Sequence, residues 1–164
     1  MNEPMNLRRS SRTALAAAVL VVIAAPGRAA AAPNGLQPFS ASWSGPVQVV
    51  LPNTFVFDGT GTSSPMGAIT AHAVATITGL SLTCPAGLAN TNVVTLSAAD
   101  GTLTLTSSDV GCPTGIGTFH GTGVYRVTGG TGRYADATGS GTLDGHADIV
   151  DGTSAITASG TIAY

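Results

Sequence analysis

Alternation of apolar and polar residues is the dominant pattern from residue 42 to the end of the chain. In the segment 67–78, Ile69 and Ala71 alternate with Thr70 and His72. Side chains point to opposite faces of a strand with period 2, whereas a helix repeats every 3.6 residues. No segment after residue 42 has the helical period. The pattern predicts eight strands, at 42–50, 54–61, 67–78, 92–98, 102–107, 116–128, 137–149 and 154–164.

Turn signals separate these segments. Asp100-Gly101 joins two alternating runs, which predicts a β-hairpin with a type I′ turn. The segment 79–91 is the longest predicted loop. Eight short antiparallel strands form a closed barrel or a sandwich, and glycines inside strands favour the barrel because they allow sharp bends. The predicted fold is therefore an all-β, single-domain, eight-stranded antiparallel barrel.

The first 31 residues have the layout of a secretory signal peptide. Arg8, Arg9 and Arg12 precede an apolar run at 14–25, and small residues follow up to a predicted cut between Ala31 and Ala32. The run is too short to span a bilayer, and no second apolar run follows it. We therefore expect a signal peptide at 1–31, a flexible N-terminal arm at 32–41 and a β-barrel domain at 42–164. The protein is expected to be secreted, or periplasmic if the cell envelope retains it, with no membrane span.

Charge and cysteines narrow the possible partners. After residue 31 the chain has two arginines, Arg126 and Arg133, no lysine and seven aspartates, a net charge of about −5 with neutral histidines. Nucleic-acid binding needs several cations on the phosphates, so the composition excludes it, and it disfavours anionic membrane surfaces. In an exported chain the pair Cys84 and Cys112 predicts one disulfide. A disulfide between Cys84 and Cys112 lowers the conformational entropy of the unfolded chain. For a loop that runs from Cys84 to Cys112, this effect stabilises the fold by roughly 3.6 kcal/mol.

A glycine-rich segment, "VYRVTGGTGRYADATGSGT", carries a family resemblance. It resembles the allene oxide cyclase and dirigent-like β-barrel superfamily, in its exported bacterial branch, through Tyr125, Thr128, Gly129, Gly130, Thr131, Gly132, Tyr134, Ala137 and Gly139. The resemblance implies an eight-stranded antiparallel barrel, often a homo-oligomer, whose mouth holds a small apolar molecule. Plant members cyclise an epoxide or steer phenoxy-radical coupling without a cofactor. Thr138 stands where dirigent proteins have an arginine, so the resemblance does not extend to their chemistry.

Familiar catalytic and nucleotide-binding motifs are missing. A phosphate-binding P-loop requires a lysine, which this chain lacks, and no Gly-x-Ser-x-Gly segment is present for a serine nucleophile. The sequence therefore predicts no cofactor.

Two groups of residues are candidates for a site. Phe55, Phe57, Phe119 and Tyr125 either fill the barrel core or line a ligand cavity, since eight strands enclose a space of borderline size. Arg126 next to Tyr125 either lies on the surface or points inward to bind a carboxylate or polarise a carbonyl.

The segment "LDGHADIVD" contains the second group. On a strand, Asp144, His146 and Asp148 lie on one face with successive spacings of about 6.6 Å. Two carboxylates and an imidazole could hold a divalent metal ion. The alternative is a solvated outer face of the barrel.

The favoured interpretation is a secreted β-barrel without enzymatic activity, which binds a small apolar molecule or serves an extracellular interaction. The alternative is a cofactor-free isomerase or cyclase acting inside the barrel. A cavity lined by aromatic residues together with an ionisable group would favour the enzyme, and a barrel filled by side chains would favour an interaction role.

Overall fold

Each strand carries an apolar row on one face, and the rows meet inside a closed barrel. A computed structural model describes residues 35–164. In this part of the chain every strand pairs antiparallel with the next, and the last pairs with the first. The predicted all-β, eight-stranded antiparallel barrel is confirmed. The strands are β1 (Gln37–Val50), β2 (Thr54–Ser64), β3 (Gly67–Ser81), β4 (Gly87–Ala98), β5 (Gly101–Gly115), β6 (Thr118–Gly130), β7 (Thr138–Asp148) and β8 (Thr153–Ala163).

Several strands are longer than the sequence predicts. β1 begins at Gln37, so residues 37–41 of the predicted arm are part of the sheet, and Phe39 and Ala41 are buried in the core. The predicted signal peptide and residues 32–34 of the arm lie outside the described residues. The predicted loop 79–91 shrinks to residues 82–86, because β3 and β4 continue pairing beyond a register shift between Ile77 and Gly79. That shift breaks the simple alternation on which the prediction depends.

The β4–β5 hairpin forms where it was predicted, but its turn is not of type I′. Ala98 pairs with Gly101, so the two central residues of the turn are Ala99 and Asp100, and neither has a positive φ. A type I′ turn needs positive φ at both central residues.

The predicted disulfide is confirmed. Cys84 lies in the connection between β3 and β4, and Cys112 lies on β5, with 5.9 Å between their Cα atoms. In the sheet, β4 lies between β3 and β5. The disulfide therefore links the β3–β4 connection to β5, which is not hydrogen-bonded to β3.

The inside of the barrel differs between its two ends. The end that carries the β2–β3, β4–β5 and β6–β7 connections, here called the packed end, is filled by large side chains, among them Leu96, Leu103, Leu105, Tyr125 and Ile162. The end that carries the other four connections, here called the open end, has three inward glycines, Gly111, Gly121 and Gly145, among larger apolar side chains. The interior is therefore solid at one end only.

The glycine-rich segment closes the packed end. It leaves β6 at Gly130, forms a short 3₁₀ turn (Gly132–Tyr134) and enters β7 at Thr138. Gly132 has a φ of +61°, a conformation that glycine adopts without strain. The turn places Tyr134 in full burial, where its hydroxyl donates to Asp100 Oδ2 at 3.1 Å. The glycine-rich segment is thus a folded turn that covers the packed end of the barrel.

Candidate functional site

A cavity of about 120 Å³ lies inside the open end of the barrel. Its walls come from inward positions of all eight strands. The large apolar members are Trp43, Phe55, Phe57, Val94, Phe119, Leu143 and Ile156, and Leu88 and Ile149 stand near the turns. A mainly apolar, concave wall is typical of a small-molecule site.

Small residues make room for this cavity. Gly111 on β5, Gly121 on β6 and Gly145 on β7 occupy successive inward positions across three paired strands. A Cβ atom added to Gly121 would find its nearest neighbour, the Gly145 carbonyl oxygen, at 3.9 Å. The space in front of Gly121 is therefore free, whereas the same strand carries Tyr125 and Val127 at the packed end.

Three ionisable residues contribute to the cavity wall, Asp109 on β5 and Asp144 and His146 on β7. The side chains of Asp144 and His146 are exposed on the outer face of β7, so Asp109 is the one with an inward carboxyl group. Its Oδ2 atom accepts hydrogen bonds from Asn92 Nδ2 and from Ser107 Oγ, the latter at 3.2 Å. Asn92 Nδ2 also donates to Ser107 Oγ at 3.0 Å, which holds the three side chains together. The carboxylate fits here because its strand partner is Gly123, where a Cβ atom would collide with Asp109 Oδ1.

Burial raises the pKa of Asp109 from 3.8 to about 6, although the hydrogen bonds from Ser107 and Asn92 act in the opposite direction. A charged carboxylate loses hydration in an apolar wall, so the protonated form gains relative to it. Perturbed carboxyl groups of this kind concentrate at functional sites, where a proton or a polar ligand group is handled.

Three polar atoms in the cavity wall have no hydrogen-bond partner within residues 35–164. They are Asp109 Oδ1, Asn92 Oδ1 and the indole Nε1 of Trp43, and all three are buried. Buried polar atoms are nearly always satisfied in folded proteins. Two acceptors and one donor are therefore left unsatisfied in residues that line the cavity.

The four connections at the open end carry exposed apolar side chains. Leu51, Leu82, Ile116 and Val150 each lie in a different connection and are largely exposed. Exposed apolar side chains that come together at one end of a molecule are typical of a binding or entry surface.

Three of the predicted cavity residues, Phe55, Phe57 and Phe119, line the cavity, and two do not. Tyr125 belongs to the packed end, where its ring meets Phe39 edge-on at 6.0 Å between centroids. Of the two alternatives for Arg126, the surface position is the one observed, so Arg126 does not belong to the cavity. Inward and outward positions alternate along β6, and because Tyr125 is buried, Arg126 is exposed on the outer face.

Sequence reasoning missed Asp109 and Asn92. The predicted fifth strand ended at residue 107, so Asp109 was never assigned to a face. The alternation along β5 could have placed Asp109, because every second residue from Leu103 onward lies on the same face: Leu103, Leu105, Ser107 and Asp109. Asn92 was placed on a strand but was not considered as a site residue.

The predicted metal ligands lie on the outer face of β7, and only two of them come together. Asp144 and His146 join His120 of β6 in a cluster whose potential ligand atoms lie within 4.8 Å of one another. Asp148 does not belong to it, because its Oδ1 atom accepts the backbone N–H groups of Val150 and Asp151 in the β7–β8 turn. His120 was missed because only strand pairing brings it opposite His146.

Comparison of the chain with protein-family models, with curated proteins and with solved structures finds no match. The resemblance to the allene oxide cyclase and dirigent-like superfamily, and the homo-oligomer that it implies, therefore stay predictions. Within residues 35–164, no helix has the length and apolar composition needed to cross a membrane.

Proposed function

We propose that this protein is exported and binds a small, largely apolar molecule in the open end of its barrel. The observation that carries the proposal is the cavity itself, an apolar space with three unsatisfied polar atoms in its wall. The exposed apolar side chains at the mouth support entry of such a molecule from this end. The signal-peptide pattern at 1–31 and the Cys84–Cys112 disulfide support export.

The size and polarity of the cavity limit the ligand. Its volume of about 120 Å³ is close to that of an engineered apolar cavity of about 150 Å³ that accepts benzene. Above pH 6 the carboxylate of Asp109 is an acceptor only, so it favours a ligand that donates a hydrogen bond. The ligand class that fits best is a single-ring molecule with one hydroxyl group.

Trp43 provides a direct readout, because it is the only tryptophan of the chain and it lines the cavity. Titration of the protein with p-cresol and with toluene, followed by Trp43 fluorescence, compares the same ring with and without a hydroxyl group. We expect saturable changes with both and tighter binding of p-cresol by about tenfold, the effect of one hydrogen bond to a charged group.

Gly121→Leu fills the cavity and should abolish both titrations. Thr122→Val, an exposed neighbour on the same strand, is the matched control and should bind as the parent protein does. If p-cresol and toluene leave Trp43 unchanged, or if Gly121→Leu binds them normally, the proposed site is wrong.

A cofactor-free isomerase is the second candidate, and Asp109 is the observation that favours it. A carboxyl group with a pKa of about 6 inside an apolar cavity is suited to general acid catalysis near neutral pH. Styrene oxide, a single-ring epoxide, tests this: protonation of its oxygen opens the ring, and a hydride shift with loss of that proton gives phenylacetaldehyde. An isomerase forms the aldehyde faster with the parent protein than with Asp109→Asn. Binding of the epoxide with no aldehyde above the uncatalysed level supports the binding function alone.

A further inference from the structure

We propose that His120, Asp144 and His146 form a binding site for a first-row transition-metal ion of the Zn²⁺ class on the outer face of the β6–β7 pair. Asp144 and His146 also contribute to the cavity wall, but their side chains are exposed on the outer face, on the opposite side of the sheet from the cavity. The proposal does not depend on the function proposed for the cavity.

The strand register builds the cluster. In the β6–β7 ladder His120 lies directly opposite His146, and Asp144 lies two residues before His146 on the same face of β7. The two imidazole rings stack with 4.6 Å between centroids and 18° between planes. Two paired strands therefore hold the three donor side chains next to one another on the outer face. No flexible loop is needed to bring them together.

The donor atoms are close to a coordinating arrangement. One ligand atom from each residue lies within 4.8 Å of the other two, and His120 Nε2 is already 2.9 Å from Asp144 Oδ2. Zinc–ligand bonds of about 2.0–2.2 Å require donors about 3.3 Å apart in a tetrahedral site. The ion would take the place of the proton between His120 and Asp144, and His120 would then carry its proton on Nδ1.

The side chains have the freedom to complete this change. The side chains of His120 and Asp144 are 37% and 56% exposed, so small rotations meet little resistance. The neighbour of His146 on β8 is Ala155, whose small side chain leaves the outer side open. Three protein ligands leave the fourth position to water, as in open zinc sites.

The donor set selects the kind of metal. Imidazole nitrogen favours Zn²⁺, Cu²⁺ and Ni²⁺, whereas Ca²⁺ and Mg²⁺ require oxygen ligands in greater number. A cluster with two imidazoles and one carboxylate is therefore expected to bind Zn²⁺ and Ni²⁺ but not Ca²⁺.

The barrel contains its own control. His72 and Asp58 form a similar exposed histidine–aspartate pair across β2 and β3, with 2.7 Å between Nδ1 and Oδ1. The strand neighbour of His72 on β4 is Thr95, so this pair has no second imidazole across that ladder. His72→Ala therefore removes an exposed histidine without touching the proposed site.

The test is calorimetric titration of the exported protein, without a histidine tag, with Zn²⁺, Ni²⁺ and Ca²⁺. The proposal predicts one saturable Zn²⁺ and Ni²⁺ site, no Ca²⁺ binding, and a melting temperature that rises with Zn²⁺. His120→Ala, His146→Ala and Asp144→Asn should each weaken Zn²⁺ binding at least tenfold, and His72→Ala should leave it unchanged. Since the substituted residues are on the surface, melting temperatures without metal check that the variants fold.

Three results would overturn the proposal. The first is the absence of saturable Zn²⁺ binding by the parent protein. The second is an equal loss on His72→Ala and His146→Ala, which means diffuse binding by surface histidines. The third is normal binding by folded His120→Ala and His146→Ala variants.

Discussion

Asp109 and Gly123 are directly paired across β5 and β6, and the carboxylate of Asp109 occupies the space that a side chain on Gly123 would fill. An acidic group enters the barrel wall only because its neighbour has no side chain. The hydrogen bonds from Asn92 and Ser107 then hold the carboxylate in place. This pair is the reason why the cavity contains an inward carboxyl group.

The pH dependence of stability tests the state of Asp109. The pKa of Asp109 is about 6 in the folded barrel, and its ordinary value of 3.8 applies to the unfolded chain. The folded state therefore binds the proton more tightly than the unfolded state does. The protonated carboxyl group of Asp109 therefore contributes its full stabilisation below about pH 4, and this stabilisation is lost as the pH rises through 6. Asp109→Asn, which imitates the protonated form, should raise the melting temperature by a few degrees at pH 7.5 and leave it unchanged at pH 4.

Thermal melts between pH 4 and pH 7.5 measure this difference, with the exposed Asp136→Asn as the control of equal charge change. An Asp109→Asn variant that is less stable than the parent protein at pH 7.5 would contradict the assigned pKa.

Gly123→Ala should destabilise the barrel by about 1–3 kcal/mol, the usual cost of overpacking. The new Cβ atom collides with the Asp109 carboxylate and with the Ser108 carbonyl. Gly121→Ala, two residues earlier on the same face, should have little effect because its Cβ atom enters free space. Urea unfolding measures both, and a double variant with Asp109→Ala should recover part of the loss. Equal effects of the two glycine substitutions would show that the collision is absent.

Tyr134 should be essential to the packed end. Tyr134→Ala removes a fully buried ring and should cost about 3–5 kcal/mol, as other buried aromatic truncations do. Tyr134→Phe keeps the ring and loses only the hydrogen bond to Asp100, so about 0.5–1.5 kcal/mol is expected. Chemical unfolding of the two variants separates packing from hydrogen bonding. A cost for Tyr134→Phe as large as that for Tyr134→Ala would mean that the hydroxyl, not the ring, closes the packed end of the barrel.

The double variant Cys84→Ser, Cys112→Ser should lose about 3.6 kcal/mol of unfolding free energy, the chain-entropy value for a loop of this length. Mass measurement of the parent protein with and without reductant gives the redox state of the same two cysteines. Reductant should destabilise the parent protein and leave the double variant unaffected. Free thiols in the parent protein before reductant is added would contradict the disulfide.

Much of the fold can be predicted from the sequence, because a side chain's face on a strand depends on local alternation. The alternation puts Phe55 with Phe57, and Ile69 with Ala71, on a shared face, and the barrel turns those faces inward. The limits of β3 and β4 could not be predicted, because a register shift near Gly79 interrupts the alternation while pairing continues. The arm was also misjudged, since β1 owes its first residues to pairing with β8 at the far end of the chain.

The sequence by itself determined the strand count, the hairpin at Asp100-Gly101, the turn at the glycine-rich segment and the pairing of its two cysteines. Local patterns and composition decide those features. Only the tertiary structure decided that Asp109 enters the cavity, that Arg126 stays outside, and that His120 joins Asp144 and His146. These outcomes depend on strand register and on barrel closure, which bring together residues far apart in the chain.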